Sequence, residues 1–413
     1  MGSLLVTGIG QLVTLEGTSR APVRGVTAAH VLGTLQDAWM LVEDGFISRV
    51  GTGRPPPSPG GNRMDVGGRA IIPGFVDCHT HSIFYGWRLD EYELRLKGAG
   101  YLEILKAGGG ILSTVETTRG ATEGDLLDQG RQRLREFALQ GTTTVEVKSG
   151  YGLDEETEFR MLKVIADLSR EGPVETIPTF LGAHAVPLEH RDDPQVYVDH
   201  LISSTLPRVA REGMAQFVDV FCEEGAFTPE QSRQILEAAS RLGLKGRLHA
   251  DEMAGGGGAE LGVRLGAASV DHLVHVSEEG IRALAESDTI AVVLPGTSFF
   301  LGLDRHAPAR RLWDEGAALA ISTDFNPGSS PIQDMKLAMT LACLNMKLTP
   351  AEALVAATIN PAHSLDVADR VGSLEVGKQA DFVVLEEDDW RHIVYRPGAP
   401  LVRSVVKRGS LIF

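Results

Sequence analysis

The residues best suited to chemistry in this chain are histidines and carboxylates that lie far apart in the sequence. His79 and His81 stand one residue apart near the end of PGFVDCHTHSIF, residues 73–84. In a strand, alternate residues point to one face, so the two imidazoles project together and Asp77 shares their side. Two neutral imidazoles can hold one divalent metal. His249 in LHADE and Asp324 in STDFNPGSS extend the set. Three imidazoles and a carboxylate suit Zn²⁺ or Fe and leave a position for water, which can then titrate near neutrality and act as a nucleophile. Asp324 could touch the metal and also act as base. Glu252, three residues after His249, could carry a proton to a leaving nitrogen. His272 could hold or polarise a reacting carbonyl. Each group has a plainer reading: a surface HxH pair, a core histidine at 249, an Asx-turn at 324. Those readings weaken together, because one face would have to collect all the groups for unrelated reasons.

The elements that must position these residues follow from the hydrophobic pattern. Eight short β-rich runs stop at polar residues or at proline: at His79 and His81, Lys148, His184, Glu223 and Glu224, His249, Asp271 and His272, Pro295, and Asp324. Helical segments separate most of them. ATEGDLLDQGRQRLREFALQG has Thr122 and Asp125 at capping-box spacing. FTPEQSRQILEAASRLG has Thr228 as N-cap, Pro229 at N1, Gln231 at N3 and Gly243 just past its end. PIQDMKLAMTLACLNMK reads as a third helix. Repeated strand-then-helix units imply a parallel sheet, and eight fit a closed (β/α)₈ TIM-type barrel, whose active site gathers at the C-terminal ends of the strands. An open doubly wound sheet would not explain polar residues ending so many different strands. The first ~70 residues and the last ~40 read as short strands with turns, which suggests one small β-sandwich domain built from both chain ends. The expected division is therefore α/β: 1–70 with 371–413 as the composite sandwich, and 71–370 as the catalytic barrel.

Composition narrows the partners. With 39 Lys and Arg against 55 Asp and Glu, the formal charge is −16. That argues against nucleic acid and against anionic membrane as partners, while a small anionic substrate can still be held by one local arginine. Three cysteines without a CxxC suggest a reducing compartment and no disulfide framework. No signal peptide or membrane span is legible, so a cytoplasmic protein is expected. Cys78 lies between Asp77 and His79 and should face away from the metal, as a packing residue.

Several motifs are more specific than HxH. PGFVDCHTH, VEVKSGYGL, FLGAHAVP, LHADE, DHL, STDFNPGSSP and YLEILKAGGGILSTVETTR resemble the amidohydrolase superfamily and, within it, the imidazolonepropionase family. The similarity runs over nearly the whole chain. It implies a (β/α)₈ barrel with a composite β-sandwich. It also implies one divalent or trivalent metal ion per chain, Zn or Fe, bound by His79, His81, His249 and Asp324. Binuclear relatives carry a carboxylated lysine at the end of the fourth strand; here that end reads FCEE, so a mononuclear site is expected. The implied reaction is hydrolysis of the ring amide of 4-imidazolone-5-propanoate to N-formimidoyl-L-glutamate. By the same resemblance Arg88, Tyr151, His184, Glu252, Asn326, Gly328 and Ser329 contact substrate, with Tyr101 a weaker candidate for the pocket lining. Glu252, His272 and Asp324 carry over as catalytic groups, and Asp324 and Glu252 both stand as the general base. Family members are commonly homodimers, so a homodimer is expected by resemblance. Two competing functions remain at this point: a superfamily deaminase acting on a guanine- or cytosine-like ring, which would release ammonia, and an inactive scaffold, which would have lost metal ligands.

Overall fold

Strand alternation explains how this chain joins two sheets. The computed structural model describes residues 2–25, 28–57, 62–98 and 109–413. Its strands in chain order are β1 Leu4–Leu12, β2 Leu35–Glu43, β3 Phe46–Thr52, β4 Arg63–Asp65, β5 Ala70–Pro73, β6 Phe75–Asp77, β7 Thr142–Lys148, β8 Glu175–Ala183, β9 Phe217–Cys222, β10 Lys245–Ala250, β11 Ser269–His272, β12 Ile290–Val293, β13 Leu319–Ile321, β14 Phe382–Leu385, β15 Val402–Lys407 and β16 Ser410–Leu411. One sheet runs β16-β15-β14-β5-β1-β2-β3, with β4 beside β1. It curls over its own apolar filling, where Val6, Met40, Ile47, Ile71, Val384 and Val406 meet. On the same strands Ile72 and Val383 point the other way, into the large core shared with the barrel. Period-2 alternation in β5 and β14 thus glues the terminal sheet to the barrel.

The run IIPGFVDCHTH is not the single strand the pattern suggests. It divides at Gly74: Ala70–Pro73 pairs antiparallel with β14, and Phe75–Asp77 pairs parallel with β7. A Cβ at Gly74 would lie 2.3 Å from Thr143 Oγ1, so the crossing from one sheet to the other needs glycine.

The second sheet, β13-β12-β11-β10-β9-β8-β7-β6, is parallel throughout and closes into a barrel at its mouth. His81 N donates to Phe325 O at 2.8 Å and Asp324 N to His79 O at 3.1 Å. Below them Asp77 accepts from Thr323 N at 3.1 Å and Thr323 Oγ1 at 2.6 Å, and from the Ser322 hydroxyl. Asp77 is therefore a closure residue. Burial pushes its carboxyl up to about 6 against those hydrogen bonds.

The helices behave as their caps suggest. Glu123–Leu139 and Pro229–Arg241 both open with full capping boxes, at Thr122/Asp125 and Thr228/Gln231. The helix in PIQDMKLAMTLACLNMK begins later than its apolar pattern, at Met335, because the Asp334 side chain accepts from Lys336 N and caps it there. Arg133, from the Glu123–Leu139 helix, donates to Ser82 O and Phe84 O at 2.9 and 2.8 Å and so fixes the loop that leads from HxH to Arg88. Among the described residues no helix is long and apolar enough to cross a membrane.

Candidate metal centre and active site

The mouth of the barrel collects the four predicted ligands from three separate segments. His79 and His81 follow β6, His249 lies in β10, and Asp324 follows β13. All four are buried. Asp324 Oδ1 is 3.5 Å from both His79 Nε2 and His81 Nε2, and His249 Nε2 is 3.4 Å from His81 Nε2. His272 joins the same cluster, its ring 5.2 Å from that of His249. Asp324 and His272 sit at φ +52° and +79°, a left-handed backbone that is strained for residues with a side chain and clusters at functional sites.

The polar groups fit a cation. His79 Nε2 is buried without a hydrogen-bond partner. Two imidazole Nε2 atoms face each other, with a carboxylate oxygen beside them. Such an arrangement leaves lone pairs unpaired unless a positive centre lies between them. His79, His81 and Asp324 form one potential metal-binding group, and His79, His249 and His272 a second overlapping one. His272 is thus closer to the metal set than its predicted role suggested. Burial and the neighbouring imidazoles hold His272 below its ordinary range, against the pull of Glu252 and Asp324, so it stays neutral.

On the other side lie the predicted substrate residues. Glu158, buried in the helix Glu155–Glu171, accepts from Gly150 N, Gly152 N and Leu153 N at 2.7–3.1 Å and shapes the KSGYG loop. That loop buries Tyr151 with its ring 5.9 Å from His81. His184 stacks on His81, centroids 4.9 Å apart at 18°. Its Nδ1 lies 2.9 Å from Gly150 O, and since a carbonyl only accepts, Nδ1 carries the hydrogen and Nε2 is left as an acceptor. Burial and the nearby His249 lower His184 to about 3, so this ring is neutral.

Arg88, just before the helix Leu89–Leu96, comes within hydrogen-bonding reach of Tyr151. Its Nε donates to Thr114 Oγ1 at 3.0 Å, and its guanidinium packs flat on Gly328, where a Cβ would lie 2.5 Å from Cζ, Nη1 and Nη2. Asn326 spends its carboxamide on its own loop. It accepts from Gly328 N and Ser329 N at 2.8 and 2.7 Å, and donates to Asp324 O at 2.7 Å and Ser329 Oγ at 2.9 Å. Glu252 lies 3.5 Å from His272 Nε2. Burial raises its carboxyl above the ordinary range, with Asp324 and Glu223 adding to the rise and His272 opposing it. Tyr101 lies outside the described residues.

Comparison with known proteins decides the family. The Amidohydrolase family profile matches residues 70–412. The imidazolonepropionase of Brevibacillus brevis is 47% identical over 408 residues, covering 97% of this chain and 96% of that protein. The imidazolonepropionase of Alkaliphilus metalliredigens is 45% identical, with 100% and 98% covered. The chain belongs to the imidazolonepropionase family. Within the wider superfamily its fold is also that of a zinc-bound adenosine deaminase from Xanthomonas campestris, at 20% identity, TM-score 0.70, and 99% and 92% coverage. A triazine hydrolase variant gives TM-score 0.73 at 17% identity, with 99% and 94% covered.

This member of the imidazolonepropionase family carries further site residues that motif reading passed over. Thr297 Oγ1 donates to Asp324 Oδ2 at 2.6 Å. Glu223 accepts from Glu252 N, Met253 N and Ala254 N at 3.0–3.2 Å and sets the loop that presents Glu252. Inside the barrel Glu146, Lys148, Asp219, Arg247 and Asp271 are all fully buried. Their signal was present as charges at alternate positions of otherwise apolar strands, in VEVK, FVDV, GRLH and SVDH. A charge in such a run is tolerated only when it is paired inside. Cys78 is buried in the apolar core, as alternation predicts.

Proposed function

We propose that this chain hydrolyses the ring amide of 4-imidazolone-5-propanoate, giving N-formimidoyl-L-glutamate, a step of histidine degradation. Its full-length likeness to imidazolonepropionases supports the reaction. The observation that carries the geometry is the Arg88 guanidinium laid against Gly328 beside the Tyr151, His184 and His81 rings. That is a cationic fork next to flat groups, as a propanoate carried on a planar ring requires.

The ligand set read here is His79, His81, His249 and Asp324, holding one zinc or iron ion per chain. When bound, the cation supplies the Lewis acidity that makes water a nucleophile at neutral pH. Arg88 clamps the propanoate, and Tyr151 and His184 bound the ring. Neutral His272 donates to the ring carbonyl as charge develops on its oxygen. Asp324 or Glu252 takes the proton from water, and Glu252 delivers one to the ring nitrogen as the C–N bond breaks. Asn326 holds the loop so that Gly328 and Ser329 face the substrate. The units proposed are a terminal sheet, 1–70 with 371–413, and a catalytic barrel, 71–370; the strand Ala70–Pro73 still pairs within the terminal sheet, and the chain crosses to the barrel at Gly74. The same reading takes the protein as cytoplasmic and, by family likeness alone, as a homodimer; the formal charge of −16 supports only the part that excludes a nucleic-acid or membrane partner.

The test is anaerobic turnover of fresh 4-imidazolone-5-propanoate by the metal-loaded protein and by Arg88→Ala. Formimidoylglutamate formation that collapses in the variant supports the reading. Ammonia release from ring amines, with no ring opening, would replace it with a deaminase.

A further inference from the structure

Two of the candidate metal ligands are backed by buried carboxylates, and the third histidine is not. His79 Nδ1 is 2.6 Å from Asp271 Oδ2, and His249 Nδ1 is 3.0 Å from Asp219 Oδ2. His81 Nδ1 has no hydrogen-bond partner, and His249 Nδ1 has none either, despite its close carboxylate. Each carboxylate is itself held by a buried cation. Lys148 Nζ reaches Asp219 Oδ2 at 2.8 Å and Glu146 Oε1 at 2.7 Å. Arg247 Nη2 reaches Asp271 Oδ2 at 3.6 Å and also donates to Cys78 O at 2.8 Å, just before His79. Glu146 in turn accepts from Thr80 N at 3.1 Å, between the two histidines of HxH. The chain Thr80–Glu146–Lys148–Asp219–His249 and the chain Cys78–Arg247–Asp271–His79 therefore brace the site from below.

We propose that Asp271 and Asp219 are positioning residues of the metal centre: Asp271 accepts from His79 Nδ1, and Asp219, whose Oδ2 lies 3.0 Å from His249 Nδ1 but off a hydrogen-bonding line, takes up that hydrogen once the site is loaded, so that tautomer and ring plane are fixed and His79 and His249 both present Nε2 to the cation. This rests on the reading of His79 and His249 as ligands. A carboxylate can only accept when ionised, so the hydrogen must sit on Nδ1 and the lone pair on Nε2. Such outer partners orient metal-ligating histidines and raise their basicity. The five interior ionisable groups comprise three acids and two bases, so the network carries one surplus negative charge beneath the cluster.

The test is Zn²⁺ affinity by chelator competition, read beside thermal unfolding of the metal-free proteins. Asp271→Ala and Asp219→Ala should each weaken Zn²⁺ binding roughly 10- to 100-fold. Asp271→Asn should recover part of the loss, because an amide oxygen can still accept from Nδ1. Wild-type Zn²⁺ affinity in variants whose metal-free form is merely less stable would reduce both residues to packing and overturn the proposal. If the variants do not fold, ¹⁵N-imidazole NMR of the zinc-loaded wild type decides. Zinc on Nε2 and hydrogen on Nδ1 of both rings supports the proposal; zinc on Nδ1 of either ring ends it. A wild type that binds no zinc, or His79→Ala with undiminished affinity, would instead remove the ligand reading on which the proposal stands, and the proposal with it.

Discussion

At the residue scale the tightest constraint is the contact between Arg88 and Gly328. Any side chain at 328 would enter the guanidinium, so Gly328→Ala should displace Arg88 without unfolding the loop, whose turn is held by Asn326. A charge-assisted hydrogen bond is worth about 1.5–3 kcal/mol. Gly328→Ala and Arg88→Ala are thus expected to lower kcat/KM roughly 10- to 100-fold, mainly through KM, measured by steady-state kinetics. Glu252 acts differently. Glu252→Gln keeps the shape of the side chain and loses the proton transfer, so kcat should fall by roughly 10²–10⁴ with KM little changed. Unchanged turnover in Glu252→Gln would leave Asp324 as the general base. The residues that the sequence singles out at this scale are those with a motif around them. Asp219 was passed over, and Asp271 was noted only as the end of a strand, because neither shows a role until its partner, distant in sequence, is in view.

At the scale of elements, the start of β8 ties the barrel floor to the terminal sheet. Glu175 pairs with Arg370 at 2.7 Å, Lys407 of β15 at 3.2 Å and Arg408 at 3.4 Å. Burial pushes its carboxyl upward, but Lys407 and Arg370 win and hold it down at about 2 from an ordinary 4.5. A folded-state pKa below the unfolded value means the pairing stabilises the fold fully above about 4.5, and the contribution fades as pH falls toward 2. The gap corresponds to on the order of 3 kcal/mol. Glu175→Gln should lose that stability at neutral pH and flatten the pH dependence of unfolding between about 4.5 and 2, as read by denaturant titration at several pH values. The bottom face of such a barrel carries stability where the top carries chemistry.

At the scale of the whole molecule, the apolar core is continuous from the barrel helices into one face of the terminal sheet. Ile72 and Val383 belong to that shared core, while Ile71 and Val384 fill the sheet's own interior. Ile72→Ala is expected to cost about 2–5 kcal/mol, seen as a lower midpoint in a single unfolding transition rather than as separate melting of the two parts. The proposed metal would be the other whole-molecule link, because its candidate ligands come from the first, fifth and eighth barrel strands or their ends. Removing it with a chelator should abolish turnover and lower the unfolding midpoint, and Zn²⁺ should restore both. Elemental analysis is expected to find one ion per chain, and two would overturn the mononuclear reading.

The sequence by itself determined the alternation of strands and helices, the capping boxes at Thr122 and Thr228, and the segments ending in HxH, His249, His272 and Asp324. These are local matters, set by period, turn chemistry and residue type within a few positions. It also carried the family motifs that single out Arg88, Tyr151 and His184. Only the tertiary structure decided that IIPGFVDCHTH splits at Gly74, because the reason is Thr143 pressing on that glycine from another strand. Only it decided that Asp77 closes the barrel against Thr323 while His79 turns to Asp271 and Asp324. Partners 192 and 245 residues away in the chain leave no periodic trace. Their pairing is written in the closure of the barrel, which brings the first strand beside the eighth.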